Sequence, residues 1–491
     1  MTGVNFLASL FVFFIGFGVL SVIAMFIADS TQSRDAIRHN FPVVGRFREL
    51  FTRLGEFFRQ YFFALDREEM PFNRAERDWI HKSSKGRNNT LPFGSTRNLS
   101  IVGTPIFVNC AFPKLDEEAN DPPAVVYGPY TQNPYSASSV VNISGMSYGS
   151  LSKPAIQSLS RGAKLVNCWM NTGEGALSPF HLEGGCDIVF QIGTAKYGVR
   201  DGNGNLDDKK LKALADRPQV KMIEIKLSQG AKPGKGGILP GDKVTSEIAQ
   251  IRGIPKGKPS ISPNRHPEID SVSDLLDFIN RVRTVSGLPT GAKLVVGAYG
   301  WLYDLCDEIE RRGIESAPDF LTIDGGDGGT GAAPMSLMDN VGLPLKSALP
   351  MFVNILQRRG LKDRIKIIAS GKLVTPAEIA WAYCAGADAV NTARGFMFSI
   401  GCIQALRCNT NTCPTGITSH KKHLQGALKP KEKAVRVANY VEKIRKDVAM
   451  IAHSCGAAHA RALDRKHVRI VQADGTSVPL NIICDALAIE P

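Results

Sequence analysis

Residues 320–332 read FLTIDGGDGGTGA, a short apolar run that stops at Asp324 and gives way to Gly325, Gly326, Gly328, Gly329 and Gly331. A run of that length bounded by glycine reads as a buried strand, and closely spaced glycines let a ligand approach the backbone. The same figure recurs along the chain. Val140 to Gly145, Leu165 to Met170, Asp187 to Ile192, Met222 to Ser228, Lys293 to Ala298, Ile365 to Ser370 and Asp388 to Thr392 are further apolar runs separated by helical stretches. That is the pattern of parallel strands joined by crossover helices. With Phe320 to Asp324 they make eight, the number that closes a (β/α)8 TIM barrel of the α/β class. The exits are alike: Gly145-Met146-Ser147, Asn171-Thr172-Gly173-Glu174-Gly175, Gln191-Ile192-Gly193, Gln229-Gly230, Tyr299-Gly300, Ser370-Gly371-Lys372 and Arg394-Gly395. In a barrel, the rim that collects the strand exits carries the active site. An open, doubly wound sheet is the alternative architecture.

Loops after the seventh and eighth barrel strands are a common phosphate site, which places Ser370, Gly371, Lys372, Arg394 and Gly395 around a phosphorylated cofactor such as a mononucleotide. Beyond the eighth strand, Cys402, Cys408 and Cys413 are spaced C-x5-C-x4-C and followed by Pro414. Three thiolates suit an iron-sulfur cluster with three protein ligands, or a larger one completed from elsewhere. Zinc usually takes four ligands and a closer first pair. Cys110, Cys168, Cys186, Cys306, Cys384, Cys455 and Cys484 are scattered and read as small core residues. A flavin beside such a cluster has a chemical logic, since the cluster passes single electrons and the flavin delivers them in pairs.

The whole chain has 491 residues, 43% apolar and 21% charged, which excludes a disordered chain, a collagen or a polytopic membrane protein. Its net charge of +13 suits anionic surfaces or ligands, and we expect no nucleic-acid partner. Asn5 to Ala28 carries no charge over 24 residues, enough to cross a bilayer as a helix. No basic residue precedes it and no small-residue cleavage site follows, so it reads as an uncleaved anchor rather than a signal peptide. Arg34, Arg38, Arg46, Arg48, Arg53 and Arg59 outnumber Asp35, Glu49 and Glu56 just beyond, which keeps the rest of the chain cytoplasmic. Between Phe41 and Leu65 apolar residues recur every three or four positions among the arginines, an amphipathic helix for the anionic leaflet or for the chain's own barrel. The expected organisation is an anchor over 1–30, an amphipathic juxtamembrane helix and connecting arm over 31–137, the barrel with its cysteine segment over 138–425, and a helical extension over 426–491.

Five ordered motifs carry a family resemblance: Gly145-Met146-Ser147-Tyr148-Gly149-Ser150, Asn171 to Gly175, Lys226-Leu227-Ser228-Gln229-Gly230-Ala231-Lys232-Pro233-Gly234, Asp327-Gly328-Gly329-Thr330-Gly331-Ala332, and the cysteine segment. From about residue 138 to 420 the chain resembles the FMN-binding synthase domain of glutamate synthase. The arm, with Pro71-Phe72-Asn73-Arg74 and Gly86 to Thr90, resembles a membrane-anchored subgroup of glutamate-synthase-like proteins. The resemblance implies FMN at the barrel mouth, near Met146, Ser147, Asn171, Thr172, Gln191, Lys226, Gly326, Asp327, Gly328 and Gly329 as well as the phosphate loops. It implies a [3Fe-4S] cluster on Cys402, Cys408 and Cys413, and the reduction of 2-iminoglutarate, formed from 2-oxoglutarate and ammonia, to glutamate. Gln229, Lys232 and Arg252 match the positions that hold 2-oxoglutarate, Glu174 the acidic residue beside the substrate, and Lys226 a lysine at the flavin's pyrimidine edge. The chemistry agrees. A dicarboxylate needs cations, Arg252 can offer a two-pronged contact, Lys226 would stabilise reduced flavin, and Glu174 could accept a proton if its pKa is raised. His266, in the insertion 229–285, matches only loosely and is given no catalytic role.

The departures from the family are as informative. The sequence shows no glutamine-hydrolysing domain ahead of the barrel and no glycine-repeat domain after it, so ammonia is expected from outside, for example from a separate amidotransferase subunit. No Gly-x-Gly-x-x-Gly fingerprint follows a strand, so electrons are expected from ferredoxin, a reductase subunit or a membrane donor rather than from NAD(P)H bound here. Two alternatives stand beside glutamate synthesis: the same cofactor chemistry on another imine or N-alkyl amino acid, and an electron-transfer subunit of a membrane complex.

Overall fold

The computed structural model describes residues 3–486, apart from the side chains of Glu49, Arg53, Glu56 and Ala486. Residues 1 and 2 of the expected anchor, those three charged side chains and the last five residues of the expected extension therefore lie outside the described residues. The chain divides into two compact units at Ala75 and Glu76.

In the first unit, helix α1 (Gly3–Thr31) is long and apolar enough to cross a bilayer, with a mean hydropathy of 2.8 in its most apolar window. Helix α2 (Ala36–Asn40) starts where the Asp35 carboxylate accepts the N–H groups of Ile37 and Arg38, and α3 (Val44–Phe58) runs on as a π-turn through Phe63. The joint between α1 and α3 is specific. Asp29, only 2% exposed, accepts the Val43 N–H at 3.0 Å and both prongs of Arg46, Nε at 2.8 Å and Nη2 at 2.7 Å. Val43 sits at φ +64°, a region β-branched residues avoid, so the carboxylate pins a strained corner. Beyond the corner Phe47, Leu50, Phe51 and Phe58 are exposed within the unit.

The second unit is built on a closed, all-parallel barrel. Its strands are β1 (Asn142–Ile143), β2 (Met170–Asn171), β3 (Ile188–Ile192), β4 (Val220–Lys226), β5 (Thr290–Val295), β6 (Phe320–Asp324), β7 (Lys366–Ser370) and β8 (Ala389–Thr392). Each pairs with its sequence neighbour, and β8 closes on β1 through Asn391 and Asn142. All eight expected strands are present, three of them displaced: the fourth by two residues, and the second and fifth by more. Leu165 is the last residue of the helix Lys153–Leu165, whose end is closed by Val166 and Cys168 N–H groups on the Ala163 carbonyl, so the second strand begins only at Met170. The fifth begins three residues early because the buried Asp319 carboxylate takes the Thr290 N–H at 2.8 Å while Arg283 and Arg364 hold its other lone pairs.

Alternation along the strands sorts the interior into layers. Val189, Met222, Phe320, Ile368 and Ala389 form the floor with Trp169, and a hairpin of the arm, Val125–Tyr127 with Tyr135–Ala137, plugs it from below. Tyr127 is fully buried and meets Trp169 and Phe320 edge to face at 5.8 and 6.0 Å. The tail holds more than the expected helix. After the helix Pro430–Ser454, Val468–Val471 pairs with both Ser477–Pro479 and the arm segment Pro105–Phe107 in a three-stranded antiparallel sheet.

Candidate active site

Above the floor the barrel interior turns polar around one carboxylate. Glu224 on β4 accepts Asn171 Nδ2 at 2.7 Å, Gln191 Nε2 at 2.6 Å and Thr322 Oγ1 at 2.6 Å. Partners on β2, β3 and β6 can meet a β4 side chain only inside the barrel. Lys293 of β5 stands beside them, paired with Asp324 at 3.2 Å. Burial disfavours its charge, but Asp324 and Glu224 outweigh that and raise its pKa. Glu224, Lys293 and Asp324 were not singled out from sequence. The available signal was their strand parity with Lys226, Val295 and Thr322, which turns a charge inward in an apolar run.

One step higher, Lys226 Nζ donates to Glu174 Oε1 at 2.7 Å and to Gln229 Oε1 at 2.5 Å, and Gln229 Nε2 donates to Thr330 Oγ1 at 3.0 Å. Glu174 lies in a slot between Gly193 and Gly237, where a β-carbon would fall 2.5 and 2.4 Å from its side chain. Burial alone would raise its pKa, yet Lys226, with Lys232 and Arg252 behind it, holds the carboxyl below its usual value. Glu174 is thus held as a carboxylate, the counter-ion of Lys226, and lacks the raised pKa on which a proton-accepting role depends. His266 is buried with Nε2 3.0 Å from the Lys226 carbonyl oxygen, which supports the lysine's backbone and leaves the ring away from the rim chemistry.

The insertion after β4 folds back through the two-stranded pair Ile238–Leu239 and Ser260–Ile261 and delivers two more cations. Gly230 N–H donates to Asp324 Oδ2 at 2.9 Å, and Ala231, strained at φ +66°, donates to the Gly326 carbonyl at 3.0 Å. This turn sets Lys232, 4% exposed, whose ammonium has no hydrogen-bond or ion-pair partner among the described residues. Burial, with the Lys226 charge added, pushes its pKa down to about 8 against the pull of Glu174. Arg252, the last residue of the helix Ser246–Arg252, is 5% exposed, with Nη2 3.0 Å from the Tyr148 carbonyl and 3.4 Å from Ser147 Oγ. Its Nε is buried and unsatisfied, and no carboxylate pairs with it among the described residues.

The remaining rim joins this group through close backbone contacts. A β-carbon on Gly145 would fall 3.0 Å from both Asn171 Oδ1 and Gln191 Nε2, one on Gly173 2.6 Å from Ser147 N, and one on Gly230 2.2 Å from the Gly325 carbonyl. Met146, Ser147, Asn171, Thr172 and Gln191 are thereby gathered on one side, and Gly326, Gly328 and Gly329 on the other. After β7, Gly371 at φ +125° and Lys372 at φ +53° form an open turn whose two N–H groups have no acceptor among the described residues. An anion-sized cradle of unclaimed donors is what a phosphate needs. Three other residues of this rim have partners within the structure. Asp327 accepts the Leu345 N–H at 3.2 Å, Gly395 makes room for the Tyr440 hydroxyl, and Arg394 donates to the Thr330 carbonyl at 2.5 Å.

The cysteine segment lies against the same rim. Its thiols are close enough to influence one another: burial raises the pKa of Cys402, Arg394 lowers it, and Cys408 and Cys413 raise it further. Burial would raise Cys413 too, but hydrogen bonds from Thr415 and Thr418 bring it below its usual value. Among the described residues no three His, Cys, Asp or Glu side chains stand in a metal-binding arrangement. Cys402, Cys408 and Cys413 are free thiols, with Thr415 and Thr418 hydrogen-bonded to the last of them, the donor chemistry that thiolate-held groups use. A cavity of 570 Å³ elsewhere, bordered by Ile269 to Ser273, Leu275, Trp301, Asp304 and Glu308, contains none of these residues.

Residues 110–458 match the family described as the conserved region in glutamate synthase. Over 96% of this chain and 97% of the relative, the sequence is 39% identical to the glutamate synthase large subunit-like protein YerD of Bacillus subtilis. It is 35% identical to the archaeal glutamate synthase [NADPH] of Methanocaldococcus jannaschii, but there the match spans 62% of this chain and only 56% of the relative. Among solved structures, the flavin-binding domain of baker's yeast flavocytochrome b2 superposes with a TM-score of 0.46 at 12% identity over 86% of each chain, too slight a likeness to bear on function.

Proposed function

Because this chain belongs to the glutamate synthase family of oxidoreductases acting on CH–NH2 donors, we propose that it reductively aminates 2-oxoglutarate to L-glutamate through 2-iminoglutarate, with ammonia and electrons supplied from outside the chain. The observation that carries the reading is the pair Lys232 and Arg252: two buried cations on the barrel rim without a carboxylate partner, beside the Lys226–Glu174 pair. Buried charges are costly unless matched, so the missing partner is anionic, and a dicarboxylate supplies two such groups.

In this mechanism Arg252 and Lys232 hold the substrate carboxylates, and Gln229, positioned by Lys226 and Thr330, turns its amide toward the oxo carbon. Ammonia adds there, the Glu174 carboxylate accepting a hydrogen bond from its nitrogen; a proton of that nitrogen leaves with the hydroxyl as water, and the imine remains. FMN, when bound, supplies the hydride that reduces the imine. The Gly371–Lys372 turn would hold its phosphate, the faces of Gly145 and Gly326 to Gly329 its ring system, and Lys226 the negative charge of its reduced form. Cys402, Cys408 and Cys413 would hold a [3Fe-4S] cluster fed by ferredoxin, a reductase subunit or a membrane donor. Helix α1 would anchor the chain in the membrane with the barrel on the cytoplasmic side.

The test is anaerobic. The detergent-solubilised protein, with flavin and iron restored, is reduced chemically, and flavin reoxidation is followed on adding 2-oxoglutarate with ammonium. Reoxidation that needs both compounds and yields glutamate supports the reading. A flavin that stays reduced with both cofactors present overturns it in favour of another imine or N-alkyl substrate. A pH dependence follows from Lys232. It must carry a proton to hold a carboxylate, so 2-oxoglutarate affinity is full below about 8 and falls as pH rises through that value. The decline should approach about tenfold per pH unit at most. Binding titrations between neutral and alkaline pH check it, Lys232→Met should flatten the profile, and a flat wild-type profile would remove Lys232 from the site.

A further inference from the structure

Lys243 is the most deeply buried lysine side chain of the barrel unit, 2% exposed, and it lies in the insertion at the one-turn 3-10 helix Gly241–Lys243. Its ammonium donates to two backbone carbonyls, Ser150 at 2.9 Å and Cys408 at 3.1 Å, and pairs with no carboxylate among the described residues. Ser150 ends the loop that follows β1, so the ammonium stands where that loop, the insertion and the cysteine segment meet. Two neighbouring contacts fix the same junction: Asn411 Nδ2 donates to the Asp242 carbonyl at 3.1 Å, and His420 Nε2 lies 2.8 Å from the Gly149 carbonyl oxygen. The charged groups that face Lys243 are Asp242, Cys408 and Cys413, which favour its charge, and Arg252, which opposes it. Two neutral carbonyls do not replace the hydration that a buried ammonium loses. The anionic groups on offer at the junction are Cys408 and Cys413 on the thiol side and Asp242 beside the lysine itself.

We propose that Lys243 is the built-in counter-charge of the cysteine site, a positioning residue that holds the Cys408 turn against the first barrel loop and favours the more negative state of the group the three thiolates bind. This rests on the reading that Cys402, Cys408 and Cys413 hold an iron-sulfur cluster. The physics is direct: adding an electron to an anionic site is easier beside a fixed cation, and local charge is one of the levers that set cluster potentials.

The experiment uses full-length protein in detergent, reconstituted anaerobically, as wild type, Lys243→Met, Lys243→Gln and Lys243→Arg. Iron and acid-labile sulfide are counted, and the cluster's reduction potential is titrated by electron paramagnetic resonance. The two neutral variants should shift the potential to more negative values and lose iron faster to a chelator, and Lys243→Arg should titrate close to wild type. A neutral variant that keeps its cluster at the wild-type potential overturns the proposal. So does an arginine variant that keeps its cluster but titrates well below wild type, an outcome that decides the matter even if the neutral variants fail to fold. Wild-type protein that takes up no iron and sulfide removes the cluster reading, and the proposal with it, whereas a wild-type cluster indifferent to Lys243 removes the proposal alone.

Discussion

Arg252→Ala binds 2-oxoglutarate about a hundredfold more weakly than wild type, the effect expected when one partner of a buried, hydrogen-bonded charge pair is removed at a cost of roughly 3 kcal/mol. The magnitude follows from the setting. The guanidinium is 5% exposed, shares the rim with Lys232 and has an unsatisfied Nε, so neither water nor a protein carboxylate competes with the ligand for it. Arg265→Ala is the contrast. That arginine belongs to the same insertion but pairs in solvent with Asp270, its side chain 56% exposed, and exposed pairs contribute little. Its removal should leave binding within about twofold. Calorimetric titration of 2-oxoglutarate into oxidised protein distinguishes the two, and an Arg252→Ala variant with wild-type affinity would remove the dicarboxylate clamp.

The second large effect is on stability. Glu224→Leu leaves Asn171 Nδ2, Gln191 Nε2 and Thr322 Oγ1 buried without their acceptor and Lys293 with one fewer compensating charge. Unsatisfied buried donors cost about 1–3 kcal/mol each, and partial relaxation brings the total to about 4 kcal/mol. The apparent melting temperature should drop by roughly 8 °C, allowing about 2 °C per kcal/mol for a large domain. Glu224→Gln keeps a carbonyl acceptor and should lose about half as much. Thermal unfolding followed by circular dichroism measures both, and a leucine variant that melts with wild type would show the hub to be dispensable.

The barrel was legible because each strand is short, apolar and cut off by glycine at the rim, and the rule fails where a neighbouring helix supplies the apolar residues. Leu165 looks like a strand start but terminates a helix, and nothing local distinguishes the two. The rim's chemical residues were legible for a related reason: Glu174, Lys226, Gln229 and Lys232 sit directly on strand exits. The inner acid and base of the barrel were not, because the meaning of Glu224 lies in partners on three other strands. Lys243 was invisible for the same reason, since it stands in a loop of ordinary composition and becomes unusual only once the Ser150 and Cys408 carbonyls are folded over it. Pairing of the arm with the tail left no local mark either, because Pro105–Phe107 and Val468–Val471 are complementary only to each other.

That last pairing has a consequence for synthesis. The arm strand leaves the ribosome before any barrel strand, whereas its partner emerges only after the whole barrel. At ordinary elongation rates the early strand waits on the order of tens of seconds for its complement. Through that interval its N–H and C=O groups are an open edge that other chains can join, so the nascent protein has reason to depend on a chaperone until Val468–Val471 arrives.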